Sequence, residues 1–182
     1  LIALVFTVAR KCRHITDPIY FYNKDDPYYE FTNFFECPIL IDRKIWRSSE
    51  HYFQAQKFVG TPYVEIISKM QQPRDVFDLS RNHYVSQWLR SDWEKVKQDV
   101  MLKALLAKFS QHEDLRTILL DTGNRELVEH TSNDSYWGDG GGHSGQNNLG
   151  KLLMRVRDIL KSQGHTTSIA ADGEDAENAS AD

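Results

Sequence analysis

Tyr136-Trp137-Gly138-Asp139-Gly140-Gly141-Gly142-His143-Ser144-Gly145-Gln146-Asn147-Asn148-Leu149-Gly150 is the stretch around which the rest of the chain is arranged. It sets six glycines, one tryptophan and one aspartate between two segments patterned like regular structure. Glycine has no Cβ and reaches backbone angles closed to other residues. A glycine cluster therefore suits a backbone that bends sharply or comes close to another group. A flexible linker needs neither an indole nor a carboxylate. Trp137 and Asp139 weigh toward a binding or catalytic loop.

Downstream of the loop, Leu149, Leu152, Leu153, Val156, Ile159 and Leu160 recur at helical spacing and predict an amphipathic helix, with Gly164 as its C-cap. Upstream, Glu126-Leu127-Val128-Glu129-His130 reads as a short strand or an extended lead into the loop. Glu113 to Leu120 predicts a helix closed by Gly123. Ser91-Asp92-Trp93-Glu94 has the form of a capping box. It opens a long helix to about Ser110, with Val96, Val100, Ala104 and Ala107 on one stripe.

Nearer the start, Ser48-Ser49 offers an N-cap for a helix from Glu50 to Val59. Glu50, Gln54 and Lys57 then share a face at i, i+4 and i+7. Gly60 ends this helix, and Thr61-Pro62 begins the next, with Pro at the first helical position and Pro73 as its end. A weaker helical piece spans Arg74 to Leu79. Ile19-Tyr20-Phe21-Tyr22 predicts a strand. Ile39-Leu40-Ile41-Asp42 and Ile45-Trp46, joined through Arg43-Lys44, predict a hairpin. The fold class is α+β, mainly α, a compact single domain of about five to six helices with a few short N-terminal strands.

The chain has 182 residues, 40% hydrophobic and 12% aromatic, enough for one domain with a real core. Its net charge of −4 comes from the end. His165 to Asp182 holds five acids and no Lys or Arg, so residues 1–164 sum to +1. A near-neutral body carries no extended nucleic-acid footprint. Residues 1–16 form a lead-in, residues 17–163 the domain, and 164–182 an acidic tail expected to be disordered. The apolar opening Leu1–Ala9 is too short to span a bilayer as a helix, so no membrane partner is expected. Cys12 and Cys37 form no disulfide framework and suit a reducing, cytoplasmic or otherwise intracellular setting.

Several familiar chemistries fail. Gly140 to Gly145 formally matches G-x-G-x-x-G, but no alternation of strands and helices surrounds it. There is no P-loop and no G-x-S-x-G elbow. The seven histidines show no zinc spacing. A set of carboxylates and aromatics remains. Glu50 is as well explained by its favourable place in a first helical turn as by catalysis. Gln54 and Lys57 read equally as a solvated face, and Trp93 as a core anchor. Trp137, beside glycines, reads as a stacking wall for a planar base.

Trp46-Arg47-Ser48-Ser49-Glu50-His51-Tyr52-Phe53-Gln54-Ala55-Gln56-Lys57-Phe58 resembles the W-x-S-x-E-H-x-F-Q-A-x-K-F signature of the YbiA-like, or NADAR, family. Phe31-Thr32-Asn33-Phe34 is similar to its earlier F-S-N-F element. Trp93, Val96-Lys97, Val100-Met101 and Lys108-Phe109 match its middle helix. Leu127-Val128-Glu129, Tyr136 to Gly140 and Asn147 to Arg157 match its C-terminal block. The resemblance runs in order from about Ile19 to Leu160. Where the family often reads G-K-N-R-L-G, this chain has Gly145-Gln146-Asn147-Asn148-Leu149-Gly150, with two basic positions neutral.

The resemblance implies an N-glycosidase without metal or other cofactor. Its implied substrates are phosphoribosylamino-pyrimidine intermediates of riboflavin biosynthesis, removed as reactive metabolites. The alternative is ADP-ribosylated guanine, from which ADP-ribose is released. A rival of another class is a non-catalytic ADP-ribose or nucleotide sensor. Cleaving an N-glycosidic bond builds positive charge on the ribose, which a carboxylate stabilises. Glu50 and Asp139 would supply the carboxylates. Trp93 and Trp137 would wall the base, and Lys57 and Arg81 would meet phosphate. Gly138 and Gly140 would offer backbone N–H groups, with Asn33, Gln54 and Asn147 as polar positioners.

Overall fold

The computed structural model describes residues 17–177, with side chains for 17–163. The lead-in at 1–16, and residues 178–182 of the tail read as disordered, lie outside the described residues. The elements run β1 (Ile19–Phe21), a 3-10 turn (Tyr29–Phe31), β2 (Ile39–Ile41), β3 (Lys44–Trp46), α1 (Ser49–Gln56), α2 (Tyr63–Lys69), α3 (Pro73–Arg81), α4 (His83–Ser86), α5 (Trp93–Gln111), α6 (Glu113–Asp121), β4 (Leu127–Glu129) and α7 (Asn148–Glu177). This is α+β weighted to α, as the periodicity indicates, with the four-residue α4 as an additional helix.

The hairpin forms as expected: Ile39 pairs with Trp46 and Ile41 with Lys44, antiparallel. Its central turn residues, Asp42 and Arg43, both have positive φ, as the tight hairpin turn that matches strand twist requires. Lys103 of α5 holds that turn by donating to both carboxylate oxygens of Asp42. The inner face of the hairpin, Ile39, Ile41 and Trp46, packs on Tyr52 and Ala55 of α1, Phe58 just after it, Ile67 of α2 and Val76 of α3.

A second layer forms on β1 and β4, which pair in parallel with Ile19 opposite Leu127 and Phe21 opposite Glu129. Their buried side chains meet Leu105 and Phe109 of α5, Leu119 of α6, and Leu153 and Val156 of α7. α5 lies between the layers, since its Ala104 packs on the hairpin side and its Leu105 on the other. Lys108 on this helix is fully buried. Its ammonium donates to the carbonyls of Glu30 and Thr32, tying the 3-10 turn to α5. Burial lowers its pKa to about 8.

Several helix ends differ from the sequence reading. α2 stops at Lys69, and Pro73 opens α3 instead of closing α2; its missing N–H costs nothing in a first turn. Pro62 is the N-cap of α2, one position before the first helical residue. Ser91 does not cap α5. Asp92 occupies the N-cap without a side-chain cap bond, because Arg90 takes both of its carboxylate oxygens. α7 continues past Gly164, the expected cap, to Glu177. Among the described residues no helix is long and apolar enough to cross a membrane.

Candidate active site

The site begins at the N-terminus of α1. Ser48 caps the helix by accepting from the His51 N–H, and its hydroxyl also bonds His51 Nδ1 at 2.8 Å. His51 is buried, and burial lowers its pKa, so it is a neutral structural residue. Glu50 follows the cap. Its backbone N–H donates to the Asn33 carbonyl at 3.1 Å, and its side chain is only 4% exposed. One turn on, Gln54 Nε2 donates to Glu50 Oε1 at 2.7 Å. Lys57 lies a turn further, its ammonium 5.8 Å from the Phe53 ring and 5.7 Å from the Trp93 ring. The Glu50, Gln54 and Lys57 face therefore exists, and it is turned inward rather than to solvent.

Burial pushes the Glu50 carboxyl up to about 7. The Gln54 hydrogen bond and the charges of Lys57 and Arg81 pull it down, while Asp134 pushes it up. Burial in turn lowers the proton affinity of Lys57, and Glu50 opposes that shift. An acid and an amine with converging proton affinities share one helix face, a pattern common at catalytic sites.

Glu129, at the end of β4, is a second acid close enough for its charge to interact with that of Glu50. Its carboxyl is pushed up to about 8, first by burial and then by the negative charges of Asp134, Glu50 and Asp139. Its Oε2 is shielded from water and has no partner. Asp134 lies just before the glycine loop and caps its turn, accepting from the N–H groups of Tyr136 and Trp137 at 2.8 Å each. The sequence reading assigned no role to either acid. The signal for Glu129 is a charged residue closing an otherwise apolar three-residue strand; that for Asp134 is its place two and three residues before the N–H groups it caps.

Phe53 pins both tryptophans. Trp93 meets it edge-on at 5.0 Å and Trp137 at 5.4 Å. Trp93 is buried in the core, while Trp137 is half-buried. Arg81, at the end of α3, is exposed and lies over the Phe77 ring at 4.1 Å. Its charge reaches both Glu50 and Lys57. Asn33 donates through Nδ2 to the sulfur of Met101 at 3.3 Å, leaving Oδ1 without a partner.

Asp139 is placed differently. It is 3% exposed. Oδ1 accepts from the N–H groups of Thr131 and Gly141 at 3.2 and 2.9 Å. Oδ2 meets Nδ1 of His130 at 2.8 Å and of His143 at 3.2 Å. Burial would raise its pKa, but the bonds from His130, Gly141 and Thr131 outweigh that and hold the carboxyl below the usual range. With Tyr20 and Val128, Asp139 and His143 line a cavity of about 340 Å³. Val128 faces this cavity, so strand alternation turns Glu129 to the opposite side. Glu50 is thus joined to Glu129, and Asp139 anchors the loop from the other face of β4.

The remaining loop residues close the structure. A Cβ on Gly138 would come 2.7 Å from Thr131 Cγ2 and 2.9 Å from the Glu129 carbonyl. Gly140 has φ 71°, and its N–H donates to the Asp134 carbonyl. Asn147, at φ 49°, spends both side-chain atoms on β4: Nδ2 donates to the Leu127 carbonyl at 2.8 Å, and Oδ1 accepts from the Glu129 N–H at 3.1 Å. It therefore fixes the strand that carries Glu129.

Comparison with known proteins finds relatives over most of the chain. The family model described as the NADAR domain matches residues 20–161. The chain is 49% identical over 154 residues to the N-glycosidase YbiA of Shigella boydii, covering 84% of this chain and 95% of that one. It is 48% identical over the same length to the N-glycosidase YbiA of Escherichia coli K12, with the same coverage. A riboflavin biosynthesis protein of Vibrio vulnificus is 42% identical over 144 residues, 79% of this chain and 39% of that one. The NMR structure of the E. coli protein YbiA superposes with a TM-score of 0.76 at 49% identity, covering 82% of this chain and 88% of that one.

Proposed function

Because the chain belongs to the NADAR family, we propose that it is an N-glycosidase that hydrolyses the base–ribose C–N bond of phosphoribosylamino-pyrimidine intermediates of riboflavin biosynthesis. The observation that carries this reading is the pair of acids held toward their protonated forms, buried Glu50 at about 7 and partly buried Glu129 at about 8. The names of the relatives, N-glycosidases and a riboflavin biosynthesis protein, support it.

Two acids with raised proton affinities divide the chemistry: the Gln54 bond and the charges of Lys57 and Arg81 favour the ionised form of Glu50, whereas the negative charges of Asp134, Glu50 and Asp139 favour the protonated form of Glu129. Near pH 7 the Glu129 carboxyl keeps its proton and acts as general acid toward the nitrogen of the leaving base. Glu50 is the group that ionises first. Its carboxylate stabilises the positive charge that builds on the ribose as the C–N bond breaks, and it takes the proton from the water that adds to the anomeric carbon. The bonding pair leaves with the base nitrogen, which is protonated by Glu129. Lys57 and Arg81 face the phosphate, and Trp137 walls the base. Asp139 holds the glycine loop that carries Trp137.

The test is to incubate the protein with the phosphoribosylamino-pyrimidine and, separately, with ADP-ribosylated guanine, and to follow ribose 5-phosphate and free guanine. Release of ribose 5-phosphate supports the reading. Guanine release alone moves the substrate to the second class, and binding without release of either makes the protein a sensor.

A further inference from the structure

The cavity that Val128 faces lies on the side of β4 opposite to Glu129. Its volume, about 340 Å³, is that of a small-molecule site. Two opposite charges border it without meeting. Neither the Glu126 carboxylate nor the Lys151 ammonium has a hydrogen bond or ion pair with the other, or with any described residue. Gln146, also in the lining, accepts from Asn148 through Oε1 at 3.0 Å and keeps its Nε2 free. One wall is held in place. His130 and His143 stack at 5.7 Å with both Nδ1 atoms on Asp139 Oδ2. Tyr20 meets the two rings edge-on at 5.4 and 5.7 Å, yet stays 45% exposed beside the cavity. The N–H groups of Asn147, Asn148 and Leu149, where α7 begins, are spent on the carbonyls of Gly138, Tyr136 and Trp137. Side chains therefore decide what the cavity holds.

We propose that this cavity is a second binding site, for a small zwitterion of the amino-acid class with an apolar side chain. Lys151 and Gln146 take its carboxylate, Glu126 takes its ammonium, and Tyr20 and Val128 meet its apolar part. A lone anion would set its charge against Glu126 and Asp139, and a lone cation would set its charge against Lys151. A ligand with both charges pairs both side chains, and hydrogen bonds between ionised groups are the strong ones. The site lies across β4 from the two acids, so the proposal stands independently of the N-glycosidase reading.

L-Phenylalanine, 3-phenylpropionate and 2-phenylethylamine test this, since they share one apolar body and carry both charges, the carboxylate alone and the ammonium alone. Each is titrated into the intact protein while its backbone amide NMR resonances are followed. Phenylalanine should give saturable shifts at Glu126, Val128 and the loop from His143 to Asn147, with a Kd on the order of 1 mM or tighter. Each analogue should bind at least about tenfold more weakly. Lys151→Met should weaken phenylalanine about tenfold and leave phenylethylamine no weaker. Glu126→Gln should weaken phenylalanine by a similar factor and leave phenylpropionate no weaker. Both positions are exposed, so neither change threatens the fold. No saturable shift with phenylalanine, equal affinity for the three compounds, shifts confined to the Glu50 side, or an affinity unchanged in both variants overturns the proposal. The wild-type comparison of the three compounds does not depend on either variant.

Discussion

The amide nitrogen of Gln54 lies 2.7 Å from the buried carboxyl of Glu50, one turn away on the same helix. This bond favours the ionised form and so lowers a proton affinity that burial has raised to about 7. Replacing Gln54 by Leu removes that support. The acidic limb of the kcat/KM profile should then move to higher pH, with activity at neutral pH reduced. A limb that stays in place or moves down would show that Glu50 does not supply the working carboxylate.

Glu129 makes stability depend on pH. Its carboxyl binds a proton more tightly folded, at about 8, than at its ordinary value of 4.5. The stabilisation is complete below the unfolded value and is lost as pH rises through the folded one. Glu50 acts in the same direction up to about 7. Urea denaturation should therefore give a less stable protein at pH 8 than at pH 5. Glu129→Gln should flatten this dependence, gaining on the order of a few kcal/mol relative to wild type at pH 8. A steeper loss with rising pH in the variant contradicts the assignment.

Two glycines separate close packing from open loop. A Cβ on Gly150 would lie 2.0 Å from the Leu127 carbonyl oxygen, where α7 crosses β4, whereas one on Gly142 meets nothing within 4 Å. Gly150→Ala should cost about 3 kcal/mol or prevent folding. Gly142→Ala should stay within about 0.5 kcal/mol. Thermal denaturation of the pair checks this, and equal melting points would contradict it.

Asp139 anchors the loop through Thr131, Gly141 and His130. Asp139→Asn replaces an ionised acceptor at Oδ2 or Oδ1 by a donor, and should destabilise the fold by about 1–3 kcal/mol. The shape of the pH–rate profile should survive. Full stability with turnover as low as that of Glu50→Gln would place Asp139 in the chemistry instead.

What could be read from the sequence was what local pattern dictates. The Ile39–Trp46 hairpin, the Ser48 cap and the apolar stripe of α7 all follow from periodicities of two and 3.6. Glu50, Gln54 and Lys57 were placed on one face, but whether that face met solvent or protein depended on Phe53 gathering Trp93 and Trp137 around it. The parallel pairing of β1 with β4 joins segments far apart in the chain, so the charged end of an apolar strand marks Glu129 as unusual without showing that its charge meets that of Glu50. The sequence offers Asp139 as a second carboxylate beside Glu50, but gives no sign of the partners that loop closure brings to it, the N–H groups of Thr131 and Gly141 at Oδ1 and the His130 and His143 rings at Oδ2. The Arg90–Asp92 pair likewise overrode a capping pattern that Ser91-Asp92-Trp93-Glu94 presents in isolation.

The most direct measurement is release of ribose 5-phosphate from the phosphoribosylamino-pyrimidine by wild type and by Glu50→Gln, both verified as folded. The expected result is multiple turnover by wild type and a loss of about 10²–10⁴-fold in kcat/KM in the variant, the range for removing a positioned acid or base. No release by wild type, or equal rates for the two proteins, would contradict the account.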